Sequence, residues 1–320
     1  MKTASIVVVV VSAASLLAIP AAAQDRKVFI SWTTKGAPVP YSAPNKPITR
    51  IADVLAKHKG QADWSEDVIQ TERYHASWIQ MGAGKKTRSQ FYGDDRTAWA
   101  VWGGKIRFHI FGQQPFVASK GFLVQVPLRV PYWMETAGDE PSLRFEVTRG
   151  GALPSYPLDG GGQPSGQNGQ HYVRISYPPR PVGGGMGTYD ADNKPYLDFF
   201  KEVVEADPTA IKLPRLHFFM KDADNQAATI RGQGVAIPPD SNKGHFHIAN
   251  DEFWFIPEGK TAYLIESVGL ITAGPGDVVL VPPNRWHRAS FAPGQVDTRI
   301  AFNRSPSMLH NYAEDAGGTQ

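Results

Sequence analysis

The 320-residue chain contains no cysteine. Disulfides, thiolate metal sites and cysteine nucleophiles are excluded, so stability must come from core burial and any bound metal. Long apolar runs are missing beyond the first two dozen residues, so no later segment is suited to cross a bilayer. There is no basic stripe either: 33 Lys and Arg are scattered among 30 Asp and Glu, which argues against a nucleic-acid partner. Helical periodicity is scarce. Only Ile48 to His58 and Tyr196 to Glu205 carry it.

At the start of the chain, Lys2, the apolar run Ile6 to Ile19, Pro20 and Ala21-Ala22-Ala23 read as a secretory signal peptide cleaved after Ala23. The expected mature protein has about 297 residues and a formal charge of +2 once Lys2 is gone. It is expected to be exported, in a bacterial periplasm, with no membrane contact in its mature form. That length suits two domains.

Short apolar segments broken by Gly, Pro, Asn and Asp make the chain mainly β. Strands are expected at Ala76 to Met81, Ala98 to Trp102, Ile106 to Phe111, Phe122 to Val126 and Leu143 to Val147. A second series is expected at Leu216 to Met220, Glu252 to Ile256, Ala262 to Glu266, Val278 to Val281 and Thr298 to Phe302. The stretch between the series is too rich in Gly and Pro for regular structure. It reads as a linker, the alternative being a loop over a site. The expected organisation is a signal peptide at 1–23, an N-terminal domain at 24–149, a linker at 150–190 and a C-terminal domain at 191–320. One shift of 155 residues pairs Trp99 with Trp254, Gly104 with Gly259, Gly121 with Gly276, Pro127 with Pro282 and Arg144 with Arg299. The constant offset implies a duplicated barrel.

The second series holds the candidate chemistry. Side chains two apart on a strand share a face, so His245 and His247 can point into one barrel interior while Phe246 points away. Glu252 follows after a short turn. Gly276-Asp277 launches an apolar strand ended by Pro282-Pro283, and His287 arrives on the returning strand. Three imidazoles and one carboxylate suit a divalent Fe, Mn, Ni, Cu or Zn ion and leave coordination positions for a small-molecule substrate or O2. The other six histidines, His58, His75, His109, His171, His217 and His310, lack paired spacing and read as structural or surface residues.

These two segments resemble the two motifs of the cupin superfamily. His245, His247, Glu252 and Gly259 match the first motif, and Gly276, Pro282 and His287 match the second. Asn284 stands where the family usually has Gly, and Pro239 where an opening Gly is common; both departures touch turns, not ligands. Shifting the ligands back by 155 residues lands on Gln90, Tyr92, Thr97 and Tyr132. The resemblance therefore implies a bicupin: two jelly-roll β-barrels with a few short helices, and a metal site only in the C-terminal one. By resemblance alone, cupin barrels often pair, which makes a homodimer one candidate assembly.

Cupins run several chemistries. The first reading is a metal-dependent dioxygenase-like oxidoreductase acting on a small phenolic or carboxylic acid, with Glu252 either a permanent ligand or a ligand that swings off to act as catalytic base when substrate binds. A metal-dependent lyase or decarboxylase, and a non-catalytic periplasmic binding protein, are the alternatives. Arg285, Arg288 and Arg299 are candidates to pair with a substrate carboxylate, each weighed against a surface role.

Overall fold

A computed structural model describes residues 31–159, 161–166, 171–176, 188–234, 243–305 and 308–313. The expected leader at 1–23, Pro239 and parts of the Gly/Pro-rich stretch lie outside the described residues. Lys35–Gln320 is one compact unit; Met1–Thr34 is another, and its residues 31–34 have no regular structure.

The first half runs β1 (Ile48–Thr49), α1 (Ile51–Lys57), β2 (Trp64–Gln70), β3 (Tyr74–Met81), β4 (Phe91–Tyr92), β5 (Thr97–Gly103), β6 (Lys105–Ile110), β7 (Phe116–Ser119), β8 (Phe122–Val126), β9 (Tyr132–Thr136), β10 (Ser142–Arg149) and β11 (Pro154–Ser155). The second runs β12 (Tyr196–Asp198), the single-turn π-helix α2 (Phe200–Glu205), β13 (Leu216–Lys221), β14 (Asn225–Gln233), β15 (Glu252–Glu258), β16 (Thr261–Ile265), β17 (Gly269–Ala273), β18 (Val278–Val281), β19 (His287–Phe291) and β20 (Val296–Arg304).

Each half builds a jelly-roll barrel from a six-stranded and a three-stranded antiparallel sheet. The six-stranded orders are β12-β8-β5-β10-β3-β2 and β1-β18-β15-β20-β14-β13; the smaller sheets are β7-β6-β9 and β17-β16-β19. Position by position the orders correspond, as a duplication requires. β5 and β15, like β9 and β19, begin 155 residues apart. Before β4 the offset shortens: Phe145 pairs with Trp78, and its counterpart Ile300 pairs with Thr229, a separation of 151.

The first strand of each half is exchanged. Ile48 in β1 pairs with Val279 of the C-terminal sheet, whereas Tyr196 in β12 pairs with Val124 of the N-terminal sheet. The helix after each exchanged strand lands on the other half's β7–β8 or β17–β18 turn. There Gly121 (φ 95°) and Gly276 (φ 85°) are needed, since a Cβ would strike Phe200 of α2 at the first and Ile51 of α1 at the second. The two glycines related by the 155-residue shift are kept by this close approach.

Strand alternation divides each six-stranded sheet into two apolar faces. One face of each, including Phe145, Trp78, Phe253, Phe255, Ile300 and Phe302, packs the sheets against one another. The opposite faces fill the barrels, with Trp99, Phe108, Tyr132 and Met134 in the first and Trp254, Tyr263, Val279 and Ala301 in the second. Phe145 stacks on Phe255 at 5.5 Å between the barrels.

Two helical expectations are shortened at their starts. Ile48 and Thr49 form β1 and Arg50 remains extended (ψ 126°) before α1; Tyr196 to Asp198 form β12 before α2. Sheet edges were available to both segments, and tertiary pairing overrode the local helical pattern. Within 150–190, Pro154–Ser155 pairs with β4, and Tyr156 lies 5.9 Å from Tyr172, beneath the Arg88 guanidinium. That part of the stretch lies against the N-terminal barrel.

Candidate metal centre

His245, Phe246 and His247 enter the C-terminal barrel through isolated bridges instead of a continuous strand. His245 exchanges backbone hydrogen bonds with His287 at 2.9 Å in both directions, and Phe246 exchanges two with Asn311 at 3.0 Å. Phe246 is buried on the far side, as the alternation requires. The turn that follows carries the chain to Glu252, the first residue of β15, while His287 opens β19. Asn284, in the turn before His287, adopts φ 63°, the left-handed conformation that Asn tolerates best after Gly.

One ligand atom from each of His245, His247, Glu252 and His287 lies within 4.8 Å of the others. Among the described residues this is the only such group of three or more His, Asp or Glu. Glu252 Oε2 is 3.0 Å from His247 Nε2, 3.0 Å from His287 Nε2 and 3.4 Å from His245 Nε2. The Nε2 atoms of His245 and His287 are 3.1 Å apart. Bonds of about 2.1 Å to a divalent ion set adjacent ligands roughly 3 Å apart, which these spacings meet.

The outer contacts decide the tautomers. His247 Nδ1 faces the carbonyl of Leu309 at 3.0 Å and His287 Nδ1 that of Arg285 at 3.0 Å. A carbonyl only accepts, so each Nδ1 carries a proton and each Nε2 is left facing the Glu252 carboxylate. A ring held at Nδ1 by a carbonyl keeps its Nε2 aimed at the centre, the orientation that a metal-binding histidine needs. Asn303 Nδ2 donates to Glu252 Oε1 at 3.0 Å, pinning that oxygen and leaving Oε2 for the centre. Asn303 is itself held by Asn250 at 2.9 Å.

Burial lowers the pKa of His245 to about 4, its contact with Glu252 only partly opposing this, so the ring is neutral at ordinary pH. For Glu252, burial pushes upward, but hydrogen bonding to His245, His247 and His287 outweighs it and holds the carboxyl well below its usual range. A neutral His245 and an ionised Glu252 are the protonation states that a divalent ion needs of these two residues.

In the N-terminal barrel Gln90, Tyr92, Thr97 and Tyr132 occupy the matching places. Gln90 exchanges backbone hydrogen bonds with Tyr132 at 2.9 Å, as His245 does with His287. Gln90 Nε2 also donates to the Tyr132 hydroxyl at 3.0 Å, so the position is closed by a neutral side-chain pair.

The family of the fold follows from this architecture. The chain aligns with salicylate 1,2-dioxygenase from Pseudaminobacter salicylatoxidans at 10% identity over 86% of each chain, with a TM-score of 0.56. A single-site variant of that enzyme, in complex with gentisate, aligns at 11% identity over 85% of this chain and 83% of the other, with a TM-score of 0.55. This is a bicupin fold. A cupin 2 conserved barrel domain protein from Leptotrichia buccalis aligns at 10% identity over 79% of this chain and 94% of its own, with a TM-score of 0.49. No family model and no curated protein matches the sequence.

Four participants in the candidate centre were not legible as such. His310, read as structural or surface, stacks on His245 at 3.8 Å, and its Nδ1 is 3.3 Å from the Tyr312 hydroxyl. Leu309 contributes only a carbonyl, and Asn303 acts through Glu252. An isolated His and a backbone oxygen leave no spacing signal; the proximity of 309–312 to the site exists only in three dimensions.

Of the three candidate arginines, Arg285 is spent on backbone, donating to Glu266 O at 2.6 Å and Val39 O at 2.8 Å. Arg288 alternates outward from β19. Only Arg299 sits on the inward face of β20, in step with Ala301.

Proposed function

We propose that this chain is an exported, metal-dependent oxidoreductase, a dioxygenase acting on a small phenolic or carboxylic acid. The observation that carries the reading is the convergence of one ligand atom from each of three imidazoles and the Glu252 carboxylate within 4.8 Å of one another, with the rings of His247 and His287 oriented by backbone carbonyls. A divalent Fe, Mn, Ni, Cu or Zn ion held by His245, His247, His287 and Glu252 supplies a Lewis-acid or redox centre with positions left for substrate and O2.

The protein's own groups have distinct tasks. Leu309 O and Arg285 O orient two imidazoles. Asn303 holds Glu252 Oε1 and leaves Oε2 as the oxygen that would hold the ion. His310, exposed and stacked on His245, borders the approach. Salicylate 1,2-dioxygenase shares the two-barrel fold, and a gentisate complex of its variant is a phenolic acid seated in such a protein; both support this substrate class.

The test is metal analysis by mass spectrometry of the protein lacking residues 1–23, followed by O2 uptake with salicylate, gentisate and related acids. About one equivalent of metal is expected, lost in His245→Ala and His247→Ala, with O2 consumed only by the loaded protein. Zinc with turnover but no O2 uptake favours a lyase. A wild-type protein that takes up no metal on reconstitution sinks the proposal.

Export belongs to the same reading. In a bacterial host the periplasmic fraction should yield a protein beginning at Gln24, and an uncleaved cytosolic product counts against export.

A further inference from the structure

The two barrels share an inward-facing Trp and Arg but treat them differently. In the N-terminal barrel Trp99 Nε1 donates to Glu146 Oε2 at 2.6 Å, and Arg144 Nε lies 3.6 Å from the same oxygen. Glu146 is thus a carboxylate built into the barrel wall, between an indole N–H and a guanidinium. In the C-terminal barrel the 155-residue shift keeps Trp254 and Arg299 but replaces Glu146 with Ala301 and Met134 with Ala289. Ala301 lies on the same inward face as Glu146, in the cluster with Trp254 and Tyr263.

That substitution removes the counter-ion and keeps the cation. Arg299 is 9% exposed, and neither its Nε nor its Nη1 has a hydrogen-bond partner. Its guanidinium lies 4.7 Å from the Phe291 ring centre, and no ion pair involves it among the described residues. A buried guanidinium without an anion is costly, and burial lowers its pKa accordingly. Two alanines in place of Met and Glu give the wall room that the first barrel fills with its own side chains. The cradle adjoins the metal centre, because Trp254 lies 5.4 Å from the His287 ring and Ala301 precedes Asn303 by two residues on β20.

We propose that the C-terminal barrel binds the carboxylate of its substrate between Trp254 Nε1 and Arg299, in the place that Glu146 fills in the first barrel. The substrate is then an organic acid whose carboxylate rests on the barrel wall while another donor reaches the metal. This rests on the oxidoreductase reading for its metal partner, yet the cradle itself includes no metal ligand.

The test uses acetate and benzoate as probes, with acetamide and benzamide as neutral matches, in equilibrium dialysis against metal-loaded and chelator-stripped protein. Wild-type protein should bind an acid and not its amide, in both metal states. Arg299→Met should weaken acid binding by about ten- to a hundred-fold, the range for a charge-assisted hydrogen bond. Ala301→Glu, which restores the first barrel's arrangement, should abolish it while metal content stays at the wild-type value. Conversely, Glu146→Ala combined with Met134→Ala should create a second acid site. Should Arg299→Met fail to fold, Ala301→Glu and the Glu146→Ala/Met134→Ala pair decide alone. The inference is overturned if neither acid binds wild-type protein, or if acids bind Ala301→Glu as tightly as wild type. Loss of metal with acid binding retained would overturn the oxidoreductase reading and leave the cradle standing.

Discussion

Asn303 shows how one neutral side chain can govern a charged centre. Its amide holds Glu252 Oε1 at 3.0 Å and its own oxygen is held by Asn250 at 2.9 Å, so the carboxylate can rotate only by breaking two bonds. Asn303→Leu should lower metal affinity by about ten- to a hundred-fold, as outer contacts to ligands usually do, with all four ligands intact. Competition with a chelator reads this directly; unchanged affinity would mean that the imidazoles alone orient Glu252. The four candidate ligands were legible as a cluster because a two-residue strand period and two turns leave a fixed spacing. Asn303 was not, since its role depends on β20 lying beside β15.

Among the elements, the connection from α2 to β13 is organised by Asp207. Its carboxylate accepts the backbone N–H groups of Lys212 and Leu213 at 2.7 and 2.9 Å and the Thr209 hydroxyl at 3.1 Å. Burial acts to raise its pKa, but these hydrogen bonds prevail and lower it from 3.8 to about 2. A carboxyl depressed on folding stabilises the protein above its unfolded value, and that contribution disappears as pH falls from near 4 through about 2. Asp207→Asn should therefore lower the melting temperature at neutral pH and flatten its fall over that acid window. An acid limb as steep as wild type would count against the assignment. The strands of this region were legible from alternation. The exchange of β1 and β12 was not, because two- and three-residue strands are too short to carry a period and are stabilised by the sheet edge they meet.

For the whole molecule, the barrels are joined by buried charge as well as by aromatic packing. Arg304 Nη1 donates to Asp95 Oδ1 at 2.8 Å and to Asp224 Oδ2 at 3.1 Å, while its backbone N–H reaches Asn250 Oδ1 at 3.3 Å. Arg73 Nε donates to the Ala249 carbonyl at 2.5 Å, so the N-terminal half grips the turn between His247 and Glu252. Arg304→Met should destabilise by about 3–5 kcal/mol, because it leaves buried carboxylates without a partner. Calorimetry of this variant beside the Asp95→Asn/Arg304→Met pair checks it; the double variant should recover part of the loss, and equal losses in both would show that the ion pair is not the cause.

What the sequence determined by itself was whatever rests on local periods and constant offsets. Alternation marked the strands, H-x-H with Glu252 and His287 marked the candidate ligand positions, and a single shift related the two barrels and located the matching places at Gln90 and Tyr132. The tertiary structure alone decided which halves exchange their first strands, that Leu309 and His310 reach the centre, that Arg299 lies buried without a counter-ion, and that Arg304 joins the barrels. Those features depend on contacts between residues far apart in the chain, and no local pattern of side chains records which distant backbone will come to lie beside them.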